Sequence, residues 1–138
     1  TNELPGEIEI YNRDTYKAEK MAQEYKVVKK VGGLHELFFT SGDIFINATN
    51  IGSPWNQGED VFFPEEFVRR FKCVADVTFV PLRPQLIAAA EKVKVLYAPG
   101  WKMFTYQAAM CLRKILDIET NINLFSQIAQ EDFKGNWS

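Results

Sequence analysis

Ile44-Phe45-Ile46-Asn47-Ala48-Thr49-Asn50 is an almost continuous apolar run that gives way to polar amides. Strict alternation would mark a strand with one wet face. A run that hardly alternates suits a strand buried on both faces, and such strands belong to parallel sheets covered by helices. The segment that follows, Asn50 to Asp60, contains Gly52, Pro54, Asn56 and Gly58. It reads as a loop at the carboxyl end of a central strand, where open α/β sheets bind their ligands.

Toward the N-terminus, Glu7 to Tyr11 predicts a strand. Asp14 is the expected N-cap of a helix with Ala18, Met21, Ala22 and Tyr25 at helical spacing. Val27-Val28 begins a second strand that stops at Gly32-Gly33, and Glu36 to Thr40 reads as extended before a Ser41-Gly42-Asp43 turn. Toward the C-terminus, Pro64 suits a first helical position, with Phe67, Val68 and Phe71 as the apolar face. Val74 to Val80 alternates as a strand, with Ala75, Val77 and Phe79 on one side and Asp76 and Thr78 on the other. Pro84 opens a helix carrying Leu86, Ile87 and Ala90. A short strand over 94–98, a helix near Met103 to Leu116 and another around Leu124 to Ala129 complete the series. The alternation predicts the α/β class, a mostly parallel sheet flanked by helices.

With 138 residues, 46% of them hydrophobic and 25% charged, the chain has room for one compact core. The expected organisation is an α/β domain over 1–100, with 101–138 a helical continuation packed on it or a tail. A net charge of −2 argues against broad electrostatic capture of nucleic acid and leaves only local contacts. Cys73 and Cys111 lie in apolar surroundings and read as reduced, buried thiols. His35 is the only histidine, so a catalytic triad or zinc site has little support. No apolar stretch approaches the ~20 residues of a membrane helix and no secretory leader is visible, which predicts an intracellular protein with no membrane partner.

In order and spacing, several blocks resemble the Toprim region of type IA DNA topoisomerases. Ile8 to Ala22 (IEIYNRDTYKAEKMA) resembles that family's first strand and the lysine-alanine stretch after it, with Asn12 in the place of a glutamate. Val27 to Leu37 resembles its valine-rich strand and glycine-histidine-leucine turn. Ala48-Thr49-Asn50-Ile51-Gly52 fits the frame of its acidic motif, but Asn50 and Gly52 replace both aspartates and only Glu59 stays acidic. Arg113-Lys114-Ile115-Leu116-Asp117 resembles its arginine-arginine-x-leucine-aspartate segment.

The resemblance implies a Toprim-like, Rossmann-like fold whose metal-site positions, Asn12, Asn50, Gly52 and Glu59, are degenerate. Magnesium takes hard oxygen ligands, usually including one or two carboxylates, so neutral amides there imply no cofactor beyond weak magnesium and no catalysis. The function implied is a catalytically degenerate DNA-binding or docking module. Lys17, Arg113, Asp117 and Trp55 would contact single-stranded DNA, and a protein partner or larger complex would hold the domain. Two alternatives stand beside it, the N-terminal fragment of an active topoisomerase and a structural interaction module without a nucleic-acid role.

Overall fold

The computed structural model describes residues 6–56 and 62–136, in two compact units, 1–41 and 42–138. The first unit contains β1 (Ile8–Tyr11), α1 (Thr15–Glu24), β2 (Val28–Gly32) and α2 (Leu34–Leu37). β1 and β2 are parallel, with Ile10 opposite Val31 and Tyr11 opposite Gly32. Parallel neighbours need a crossover, and α1 provides it. Ala18 on α1 is fully buried, a residue small enough to let the helix lie close to its strands. Residues expected to extend over Glu36 to Thr40 instead begin in α2. There the Gly33 amide donates to Glu36 Oε1 at 3.2 Å, so the glutamate caps its own short helix.

The second unit contains β3 (Gly42–Asn47), α3 (Glu65–Val68), β4 (Phe71–Asp76), α4 (Gln85–Val93), β5 (Leu96–Ala98), α5 (Gly100–Leu116) and α6 (Ile122–Asn136). Its sheet is entirely parallel in the order β3-β4-β5. The predicted turn at Ser41-Gly42-Asp43 is already strand, because Gly42 pairs with Phe71. The core on one face of the sheet is aromatic. Phe45 meets Phe67 edge-on at 5.1 Å and Phe71 at 5.3 Å, and Phe67 stacks on Phe63 at 5.8 Å. Leu86, Ile87 and Ala90 of α4 are buried too.

Three local readings need correction. The strand expected over Val74 to Val80 starts at Phe71 and ends at Asp76, where the carboxylate accepts the Thr78 amide at 2.9 Å and turns the chain out of the ladder. The helix expected from Met103 starts at Gly100, which places Trp101 in its first turn. Cys111 is exposed on α5 and Cys73 only partly covered, so neither is a buried thiol. The α/β class itself stands: parallel strands joined through helices in both units. Among the described residues no helix is long and apolar enough to cross a membrane.

Candidate functional site

Because β3, β4 and β5 are parallel, their carboxyl ends lie along one edge of the second unit's sheet, and Asn47 stands opposite Asp76 there. Both are almost fully buried. Asn47 Nδ2 donates to the two Asp76 carboxylate oxygens at 3.2 and 3.3 Å and to the Ile51 carbonyl at 3.2 Å. Its Oδ1 accepts the Thr49 hydroxyl at 2.7 Å and the Thr49 amide at 3.2 Å. The Thr78 hydroxyl adds a second bond to the Ile51 carbonyl at 3.3 Å. Two strand tips and the loop after β3 are thereby tied into one network, and no buried side-chain polar atom among the described residues lacks a partner. Burial is the main influence on Asp76 and pushes its carboxyl above the usual range, opposed by the bonds from Thr78 and Asn47.

Two glycines shape this edge. Gly52 has φ +86°, the left-handed region that side chains avoid. Gly100 opens α5 where a β-carbon would fall 2.4 Å from the Thr78 carbonyl oxygen and 2.6 Å from that of Val77. The amino end of α5 therefore rests directly on the backbone beyond β4. Phe79 stacks on Phe104 of α5 at 5.1 Å, and Trp55 tilts against Phe79 at 6.4 Å. Trp55 is thus the outer member of an aromatic row, still half exposed.

In the first unit the tip of β1 carries Asn12, Arg13 and Asp14. Asn12 Oδ1 accepts the Asp14 amide at 3.0 Å, closing the turn that leads into α1. Lys17, one turn along, pairs with Asp14 at 3.5 Å on the surface. Arg13 is exposed and has no ion pair among the described residues.

The sequence-derived site residues are scattered over these features. Asn12 and Lys17 belong to the first unit, whereas Asn50, Gly52, Trp55, Arg113 and Asp117 belong to the second. Glu59 lies outside the described residues. Asn50 is exposed and its carbonyl accepts the Ser53 amide at 3.1 Å, so it starts a turn, while the buried amide is Asn47. Gly52, read as a replaced aspartate, meets a backbone requirement instead. Arg113 pairs with Glu119 at 3.2 Å, not with Asp117, and Asp117 is the left-handed cap of α5 with φ 53°. Sequence reasoning missed Asn47, Asp76, Thr78, Arg13 and Gly100. The signal for the first three was a pair of polar residues at neighbouring strand ends.

No family model matches the chain. It is 30% identical over 126 residues to the shikimate dehydrogenase (NADP(+)) of Pyrococcus abyssi, and 34% identical over 123 residues to that of Methanocaldococcus jannaschii. These alignments take in 90% and 83% of this chain but 46% and 43% of those proteins, so the chain spans about half the length of the curated relatives it matches. A chorismate mutase/shikimate 5-dehydrogenase fusion protein from Clostridium acetobutylicum superposes with a TM-score of 0.75 at 24% identity, over 94% of this chain and 47% of that one. A shikimate dehydrogenase solved in complex with NADP+ gives 0.72 at 26% identity, over 92% and 47%. These likenesses overturn the topoisomerase resemblance. With it fall the DNA-binding and docking role, the single-stranded DNA partner assigned to Lys17, Arg113, Asp117 and Trp55, and the expectation of no cofactor beyond weak magnesium. Over most of its length the chain is similar to shikimate dehydrogenases.

Proposed function

We propose that this chain is the nicotinamide-nucleotide-binding portion of a shikimate-dehydrogenase-like oxidoreductase that uses NADP. The observation that carries the reading is the 30% identity over 126 residues to an enzyme named for NADP(+). The parallel βα order supports it, since doubly wound sheets take dinucleotides at the carboxyl ends of their strands.

The residues fit one end of that cofactor. In such sheets the tip of the second strand reads the adenosine ribose, with a carboxylate for a free 2′-hydroxyl or a nearby arginine for a 2′-phosphate. Of the strands in this chain that lead through a helix to a parallel neighbour, β1 is the first, and its tip has an amide at Asn12 and the cation Arg13, which has no ion pair among the described residues. Two carboxylates lie near this tip and both are engaged, Asp14 by Lys17 and Glu36 by the Gly33 amide. This donor set suits a phosphate monoester. A glycine-rich cradle for the diphosphate, of the G-x-G-x-x-G kind, does not occur in the sequence.

When bound, a nicotinamide supplies hydride chemistry at a hydroxyl or carbonyl carbon. The chain's own contribution is positional. The Asn47–Asp76–Thr78 network and the close seat of Gly100 fix the strand-tip edge of the second unit, and Arg13 supplies charge at the tip of β1. Shikimate, a hydroxylated ring acid, is the substrate carried over from the relatives' name.

An amide-resolved NMR titration tests the cofactor reading with 2′,5′-ADP and 5′-AMP as probes. The diphosphate with the 2′-phosphate should move the amides of residues 12–17 at millimolar concentration, more strongly than 5′-AMP, and Arg13→Ala should remove the difference. Equal responses to the two nucleotides, or none at those amides, would sink the NADP assignment.

A further inference from the structure

We propose that Trp55 seats the nicotinamide ring of the cofactor against its indole face, and thereby makes the chain hold the oxidised form more tightly than the reduced one. The proposal rests on the cofactor reading above.

Tryptophan is large and mostly buried in folded proteins, so one left open at a ligand-binding edge calls for an occupant. Trp55 is 54% exposed. It belongs to the loop that leaves the tip of β3, and that loop is tied down at several points. The Ile51 carbonyl accepts from both Asn47 and Thr78, and the Ser53 amide donates to the Asn50 carbonyl at 3.1 Å. The Trp55 amide donates to Ser53 Oγ at 3.3 Å, and the Asn56 amide to the Ser53 carbonyl at 3.0 Å. The backbone carrying the indole is thus placed before a ligand arrives, and little ordering cost is left for binding. The ring leans on Phe79 at 53°, whereas Phe79 and Phe104 lie nearly parallel, 19° apart. A tilted contact steadies the indole and keeps ring surface available to a second partner.

The partner's chemistry follows from the place and the ring. Open α/β sheets take ligands at the carboxyl ends of their strands, and Trp55 stands at that end of β3. Of the cofactor's two rings, the purine accompanies the 2′-phosphate assigned to the tip of β1, which leaves the pyridine ring for Trp55. Oxidised nicotinamide is positively charged, and indole is the aromatic face that holds a cation best. The dihydropyridine of the reduced form is neutral and lacks that attraction. Trp101 already has a cation of its own, with Lys102 Nζ 5.6 Å from its ring centre, and serves as the internal control.

The test titrates the 138-residue chain with oxidised nicotinamide mononucleotide, its reduced form and 5′-AMP, following the indole N–H resonances by NMR. The oxidised mononucleotide should shift the Trp55 resonance saturably and leave that of Trp101 in place. It should bind about two- to fivefold more tightly than the reduced form. Trp55→Leu should remove that difference, and Trp55→Phe, which keeps a ring against Phe79, should restore part of it. No shift at Trp55 with the oxidised mononucleotide overturns the proposal. So does an equal preference for the oxidised form in Trp55→Leu, and so does a shift as large with 5′-AMP, which would make Trp55 a platform for any base. A response at Trp55 with none to 2′,5′-ADP at residues 12–17 would remove the 2′-phosphate reading and leave the ring contact standing, and the converse result would do the reverse.

Discussion

Asp76 shows how a single polar residue organises the strand-tip edge. Its carboxylate accepts from the Thr78 amide and from Asn47, so Asp76→Ala leaves a buried N–H without an acceptor and one arm of the Asn47 amide idle. A loss of about 1–3 kcal/mol is expected. The acid is raised by burial, so folding binds its proton more tightly than the unfolded chain does. That contribution is present below the ordinary carboxylate range and fades as pH rises through the raised value. Urea unfolding across roughly pH 4 to 7 should show a falling stability component in the parent that Asp76→Asn flattens. An unchanged slope would mean that the carboxyl titrates normally. None of this was legible beforehand, because Asn47 and Asp76 are 29 residues apart and meet only through strand register. Residues that did stand out were misread for a related reason. Ala18 in the Lys17-Ala18 pair is a fully buried helix–strand contact, and Thr49 in Ala48-Thr49-Asn50 bonds Asn47 and the Ile51 amide. Such blocks report how a strand tip turns in many α/β folds, so they carried fold information that was taken for family information.

Elements were read better than residues, because periodicity is a local property that survives without knowledge of neighbours. The strand at Glu7 to Tyr11, the helix after Asp14 and the helix after Pro84 all form where spacing placed them. The failures have tertiary causes. α2 depends on the Glu36 side chain reaching the Gly33 amide, and β4 stops early because Asp76 captures the amide of Thr78. The start of α5 was missed because glycine reads as a helix breaker, whereas Gly100 is needed for its missing side chain. Gly100→Ala would push a methyl group into the Val77 and Thr78 backbone carbonyls, neither of which can rotate away. The expected cost is about 1–3 kcal/mol, measured by denaturant midpoint at unchanged slope. Ala at most other helix positions would stabilise by removing glycine's flexibility, so a gain in stability here would contradict the close approach of α5.

At the scale of the whole molecule the α/β class was legible and the likeness to shikimate dehydrogenases was not, since parallel βα sheets of different families share element order and place their chemistry at the same strand ends. The division into 1–41 and 42–138 was not legible either, because each unit contributes the same kind of element. The two differ in what they bury. Residues 42–138 enclose Phe67, Val68, Val74, Leu86 and Ile87 almost completely, around a three-stranded sheet. The first unit has two short strands, and its buried apolar side chains among the described residues are Ala18 and Leu37. A segment of that size without a cysteine lies at the limit where apolar burial can offset chain entropy, and a ten-residue helix such as α1 is marginal alone. A polypeptide of residues 42–138 is therefore expected to unfold cooperatively on heating, with the near-ultraviolet dichroism of packed aromatics. A peptide of residues 1–41 is expected to show little helix and no cooperative transition. The exposed Ile44 and Ile46 of β3 and Leu96 of β5 should make the longer fragment prone to association, so its melting is best followed at several concentrations. A fragment 42–138 that lacks any cooperative transition at low concentration would show that its aromatic core does not suffice and that the two units fold only as one.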